Sequence, residues 1–399
     1  MEDFDPAAAT AQYLATMTPE QHERAIAYTQ GGYWLMLGGF LVGVAIAWLV
    51  LRLGILTRIR DAIEKGRERP ILVALVVAPV WSALSFALGM PWAAYANWWR
   101  EKSYGLNNQD FAAWLTEYAM QGGIGVLIAA LTLWALYALI KVARRTWWIW
   151  GAGLAGAFAV AGLVLSPMVI EPLFNTYTPA PPGAVRDAVV ELAHKTGTPD
   201  DKIYIYDGTR QSDRYTANVS GLFGSARVAL SDAMFKKDAD MAEIRAVVGH
   251  EMGHYVRAHI LWSMGMLVFM AIAGFWLVDR LFPLFKRWLG ARDVRDIGDP
   301  AGFPVVVVVL SVLSLLFTPV ANTISRTMET DADNFSMIHA DEPDGMAEAL
   351  IKTAEYRAPS PTALEEFVFY THPSVERRIR NAMEWKAKRL KEDPAAYSR

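Results

Sequence analysis

The chain reads as a mainly α-helical, polytopic membrane protein with a polar α+β region facing water. Three observations predict that class. Hydrophobic residues make up 53% of the 399 positions, above the usage of average soluble domains. Six stretches carry no charge over the roughly 20 residues a helix needs to cross a bilayer. The mean hydropathy, +0.19, is nevertheless modest, because two long polar segments dilute the apolar ones.

In chain order, residues 1–30 form an N-terminal amphipathic segment. Its charges include Glu2, Asp3, Asp5 and Glu20, where a secretory signal would open on a basic region, so no cleaved signal is expected. Residues 31–170 hold four spans, Gly31 to Leu51, Ile71 to Trp99, Tyr118 to Ile140 and Thr146 to Ile170. Residues 171–259 are polar. Residues 260–325 hold two further spans, Ile260 to Val278 and Ala301 to Ser325, and residues 326–399 are polar again. Trp98, Trp99, Trp147 and Trp148 lie at span ends, where rings favour the headgroup layer.

The two polar pieces are expected to form one water-facing domain. Pro182 to Gly197 reads as a helix stopped by glycine, and Ile203 to Tyr206 as a short strand. Arg214 to Val219 and Ala226 to Leu230 read as two strands of a hairpin, with Gly221 and Gly224 in the turn.

A formal net charge of −3 lacks the basic footprint of nucleic-acid binders, and no nucleic-acid partner is expected. Cysteine is absent, which excludes disulfides, thiolate metal ligands and thiol nucleophiles. Any metal must therefore be held by His, Asp or Glu.

One segment has that character, His250-Glu251-Met252-Gly253-His254. Asp238 or Asp240 can cap a helix here, and Met241, Ile244, Val247, Val248, Met252 and Tyr255 recur at helical spacing. His250 and His254 then lie one turn apart on one face, so two imidazoles can reach one tetrahedral ion. Glu251 lies beside it to accept a proton from water. Zinc acidifies water and polarises a carbonyl, so the pattern points to metal-assisted peptide hydrolysis and a zincin-like catalytic domain. A third ligand is needed. His259 falls five residues after His254, where the extended three-histidine pattern demands six, and is expected at the mouth of the fifth span. Downstream, Glu329 and Asp333 would share a face if the sixth span continues as helix; Glu329 could complete the site and Asp333 could steady a ligand histidine. An acidic patch on a solvated helix would look the same.

Taken together, His250-Glu251-Met252-Gly253-His254, Glu329 with Ala332-Asp333, Ile170-Glu171-Pro172-Leu173-Phe174-Asn175 and Thr371-His372-Pro373 resemble the Ste24-type integral membrane zinc proteases. These are also called type I CAAX prenyl proteases, of peptidase family M48. The resemblance implies one zinc per chain, ligated by His250, His254 and Glu329, with Glu251 as general base and Asp333 in support. It implies that His372 and Arg378 stabilise the oxyanion and orient the site. It further implies that Asn218 and Val219 lie on an edge strand to which an extended peptide adds, and that the membrane helices ring a water-filled chamber.

Eukaryotic relatives of this type have seven spans, and six are counted here. Basic residues crowd Arg52 to Arg69, Lys141 to Arg145 and Arg280 to Arg295, which by the positive-inside rule puts the polar domain outside the cytoplasm; the resemblance implies the cytoplasmic side. Short termini and compact loops suggest a bacterial owner and its inner membrane, the endoplasmic reticulum membrane being the eukaryotic equivalent. Expected partners are the lipid bilayer and peptide or protein substrates, lipidated ones included, and a monomer suffices. Two alternatives stand beside a CAAX-type endopeptidase. One is a general quality-control protease of the membrane; the other, from a different class, is a metal-regulated transporter without hydrolytic activity.

Overall fold

The computed structural model describes residues 4–214, 216–220, 227–236 and 240–397. Its helices are α1 Pro6–Leu14, α2 Pro19–Arg52, α3 Ile55–Glu64, α4 Pro70–Ala93, α5 Arg100–Ser103, α6 Phe111–Val142, α7 Trp147–Leu165, α8 Ala184–Thr196, α9 Met241–Val256, α10 His259–Trp288, α11 Phe303–His339, α12 Pro343–Thr353, α13 Ala363–Phe369 and α14 Val375–Glu392. The strands are β1 Tyr177–Pro179, β2 Ile203–Tyr206, β3 Ala217–Ser220 and β4 Arg227–Ser231.

Among the described residues six helices are long and apolar enough to span a membrane, as the sequence predicts. They run further than their uncharged cores. The first starts at Pro19, where Thr18 and Gln21 form a capping box, so residues 19–30 belong to the same helix as the first span. The last continues unbroken from the bilayer to His339, because Arg326 to Asp333 keep a helical pattern whose buried side faces the polar domain. The segment α4 is prolonged to Ser103 through a π-turn over Ala94–Trp99 that follows Pro91, and α7 through another over Ser166–Ile170 that contains Pro167. Proline lacks the N–H that would continue the ladder, so the register slips.

These helices touch in a closed ring, α2 to α4 to α6 to α7 to α10 to α11 and back to α2. Burial along them is lopsided. Val50 in α2, Val73 and Val77 in α4, Tyr137 and Ile140 in α6, Trp147 in α7, Val278 and Phe282 in α10 and Val305 and Val309 in α11 form one core. All lie toward the end remote from the polar domain. Arg60 and Asp299, both buried, pair there at 2.5 Å, and Arg295 reaches Glu64 at 2.6 Å. The buried core of the ring is thus concentrated at one end.

The polar domain sits over the opposite end. Its four strands are ordered β1-β2-β4-β3, with β2 and β4 parallel and the other pairs antiparallel. The strand expected from Arg214 begins only at Ala217. It does pair antiparallel with β4, while the turn at Gly221 and Gly224 lies outside the described residues. Strand β1 went unforeseen, since three residues ending in proline carry no period. Leu230, Val228, Val189, Leu192, Ile244, Val248 and Met252 form the core between the sheet, α8 and α9. A second core joins α1, α12 and α14 around Ile379 and Met383. Helix α1 therefore docks on the polar domain; Tyr13 donates to Asp344 at 2.8 Å.

Helix α12 crosses the start of α9 at Gly345, where an added Cβ would lie 2.3 Å from the Ala242 carbonyl carbon. Backbone cannot yield as a side chain can. Gly345→Ala is expected to cost about 1–3 kcal/mol through overpacking and to lower the melting temperature in detergent; an unchanged melt would contradict this packing.

Candidate metal centre

Helix α9 is started by Asp240, whose carboxylate accepts from the backbone N–H of Ala242 and Glu243 at 2.7 and 3.2 Å; Asp238 lies outside the described residues. One face of α9 enters the sheet core. Another meets α11 closely through two glycines, Gly249 and Gly253. A Cβ on Gly253 would lie 3.1 Å from Ala332 Cα, and one on Gly249 2.8 Å from Ser336 Oγ, which donates to the Ala246 carbonyl at 2.7 Å. That approach brings Glu329 of α11 to the histidines of α9.

The Nε2 atoms of His250 and His254 lie 3.1 Å apart. Glu329 Oε2 is 3.2 Å from His250 Nε2, and Oε1 is 3.5 Å from His254 Nε2. A tetrahedral zinc with bonds of about 2.0–2.1 Å spaces its ligands about 3.3–3.4 Å apart. The three donors fit that ion. Glu329 Oε2 is buried and accepts no aligned hydrogen bond, as a carboxylate oxygen does when its partner is a cation.

Behind His250 stands a buried polar chain. Its Nδ1 lies 2.8 Å from Asp333 Oδ1, and Arg378 grips Asp333 with Nε at 2.7 Å and Nη2 at 2.6 Å. Arg378 is thus engaged with Asp333 rather than aimed at a substrate. His372 Nε2 is 3.2 Å from Glu329 Oε2, and Thr371 Oγ1 meets its Nδ1 at 2.9 Å. With the hydroxyl donating to Nδ1, the His372 proton sits on Nε2 and points into the site.

Charge is sorted within the cluster. Burial opposes protonation of His250, but the Asp333 and Glu329 carboxylates beside it outweigh this and raise the imidazole to about 10. Burial and the charge on His250 push His254 down to about 4. Burial lifts Glu251 to about 7, with His250 pulling the other way. Burial, then Arg357, holds His372 near 3, so it stays neutral. Arg357 was not singled out in the sequence, where nothing distinguishes it from other basic residues.

Asn218 and Val219 lie on β3, an edge of the sheet beside α9, paired inward with Ala229 and Val228. Asn218 Oδ1 and Ser220 Oγ are buried there without hydrogen-bond partners among the described residues. A cavity of about 350 Å³ runs from Val219 and Ser220 past His254 and Glu329 to Leu163 and Met328. Glu171 lines it too, held by Arg227 at 2.5 Å. His259 is not among the three clustered donors. It begins α10 and meets His254 from behind, a contact its sequence position gave no reason to expect.

A helix bearing two histidines one turn apart, a glutamate between them, a carboxylate from a second helix and six spans beneath define a multi-pass membrane metalloprotease. The family model of peptidase family M48 matches residues 179–386, and that of the CAAX prenyl protease N-terminal region, described as five membrane helices, matches residues 6–176. The chain belongs to peptidase family M48. Four of its six apolar helices fall in the N-terminal match. It is 27% identical over 356 residues to the uncharacterized metalloprotease YhfN of Bacillus subtilis, covering 86% of this chain and 82% of that one. It is 27% identical over 315 residues to the CAAX prenyl protease 1 homolog of Oryza sativa, covering 77% and 72%. The crystal structure of S. mikatae Ste24p shares the fold, with a TM-score of 0.75 over 95% of each chain at 20% identity. A transporter without hydrolytic activity finds no support in these matches.

Two outcomes test the centre. Because His250 is raised to about 10, its proton must leave before Nε2 can bind a cation, so zinc affinity should rise roughly tenfold per pH unit through neutrality. Calorimetry in buffers of differing ionisation enthalpy should find about one proton released per zinc near pH 7.5; none released would refute the assignment. Asp333→Asn should weaken zinc binding about 10–100-fold.

Proposed function

We propose that the chain is a zinc-dependent endopeptidase in which His250, His254 and Glu329 hold one zinc and Glu251 is the general base. The observation that carries this is the spacing of the three donors, 3.1 to 3.5 Å, with Glu251 next in sequence on the same helix. Zinc, when bound, supplies a Lewis acid that polarises the scissile carbonyl and acidifies water. Glu251 takes one proton from the attacking water as oxygen joins the carbonyl carbon, then delivers it to the leaving amine as the C–N bond breaks. Burial keeps its pKa near the working pH, where a group can both accept and return a proton. His372, neutral with its proton on Nε2, donates to the oxyanion that forms. Arg378 and Asp333 keep the His250 ring fixed.

Peptides would lie extended along β3, where Asn218 and Val219 offer an unpaired strand edge and main-chain pairing serves many sequences. The ring of helices beneath the site would enclose a water-filled chamber, and substrates are membrane-associated peptides reaching the site from it. We place the protein in a bacterial inner membrane. A quality-control duty fits strand-edge binding at least as well as strict CAAX processing, since backbone pairing ignores side-chain identity.

Glu251→Gln should abolish cleavage, by about 10²–10⁴-fold, while zinc content stays at one per chain; full activity would sink the mechanism. His372→Ala should lower kcat about 10²–10³-fold with little change in KM. Farnesylated and unmodified forms of one peptide, offered together, should be cut at similar rates if the duty is general.

A further inference from the structure

We propose that His259 is a positioning residue for the ligand His254, and that with Asp331 it forms a second polar strut behind the metal centre. The inference rests on the zinc-peptidase reading above and concerns the side of the site that Asp333 and Arg378 do not reach.

The geometry is specific. His254 turns Nε2 toward His250 and Glu329, which leaves Nδ1 pointing away from the ligand cluster. That Nδ1 lies 2.9 Å from Nδ1 of His259, and His259 Nε2 lies 3.2 Å from Asp331 Oδ2. One proton arrangement satisfies all three groups. His254, with its Nε2 lone pair turned to the cation, carries its proton on Nδ1 and donates to His259 Nδ1; His259 carries its own on Nε2 and donates to Asp331. Arg257 Nε, 3.5 Å from the same Asp331 oxygen, keeps that carboxylate an acceptor.

His259 is 7% exposed, an unusual state for a histidine that only began a membrane helix. Reaching this place needs an abrupt chain reversal. Only Arg257 and Ala258 separate α9 from α10, and Ala258 adopts φ +54, a left-handed conformation that side chains disfavour. Asp331 comes from α11, two residues after the ligand Glu329. The strut thus joins the catalytic helix, the start of the fifth span and the continuation of the sixth. The two ligand histidines are backed unequally, His250 by a carboxylate and His254 by an imidazole. Partners of this kind set ring orientation and ligand basicity without touching the reacting atoms.

The test uses full-length protein in detergent carrying Glu251→Gln, so that no self-cleavage intervenes. Zinc affinity is read by competition with a chelator, and the cobalt-loaded form by its visible absorption. His259→Ala should weaken zinc about 10–100-fold and shift the cobalt bands, while the metal-free protein melts at the parent temperature. His259→Gln, whose amide oxygen can accept from His254 Nδ1, should recover most of the affinity. Asp331→Asn should show a smaller loss of the same kind. Affinity within twofold of the parent in His259→Ala would overturn the inference, as would a loss that His259→Gln fails to recover and that accompanies a lower metal-free melt. A parent that binds no zinc would overturn the metal-site reading, and this one with it.

Discussion

Everything at the centre depends on how closely α9 and α11 approach. Gly249 and Gly253 leave their side of the catalytic helix bare, and Ala332 and Ser336 answer with small side chains, so backbone lies against backbone. A methyl group at Gly253 would press on Ala332 from 3.1 Å, and the neighbour would have to give by tenths of an ångström. Metal ligation tolerates errors of only that size. The close crossing therefore fixes where His250 and His254 on α9 stand relative to Glu329 on α11, so a cation would not have to assemble that cluster itself.

Around that crossing the charges are arranged so that few are unpaired. Arg378 and Asp333, both buried, neutralise each other through two short hydrogen bonds, and only then can Asp333 hold a histidine. An isolated buried carboxylate would be costly in this setting, whereas a hydrogen-bonded pair is tolerated. Glu329 keeps one buried oxygen without an aligned donor, the mark of a cluster built around something positive. Beside them burial lifts the Glu251 carboxyl and lowers the His372 imidazole.

Much of this was legible in the sequence because it is written locally. The spans show as uncharged length, a one-dimensional property, and the histidine helix shows as spacing plus the Asp240 cap. Glu329, 75 residues after His254 by the numbering, could be named only by its place after the sixth span and by resemblance to a known family. What sequence did not reveal is non-local. The contact of His259 with His254 depends on a two-residue reversal at Ala258, a residue type with no turn preference. The docking of α1 on α14 and the parallel pairing of β2 with β4 need partners nearly the whole chain, or a strand and a turn, away. Arg357 acts on His372 through space, and spatial proximity leaves no periodicity.

The lopsided packing of the membrane ring has a mechanical consequence. Six helices whose shared core lies at one end behave as levers with a common base. A helix of about 20 residues is roughly 30 Å long, so a tilt of about 5° moves its far end by roughly 2–3 Å while the packed end stays almost still. Displacement from any tilt is therefore largest at the level of the catalytic domain. The core around Trp147 and Val305 thus acts as the pivot, though it lies at the end of the ring remote from the catalytic domain.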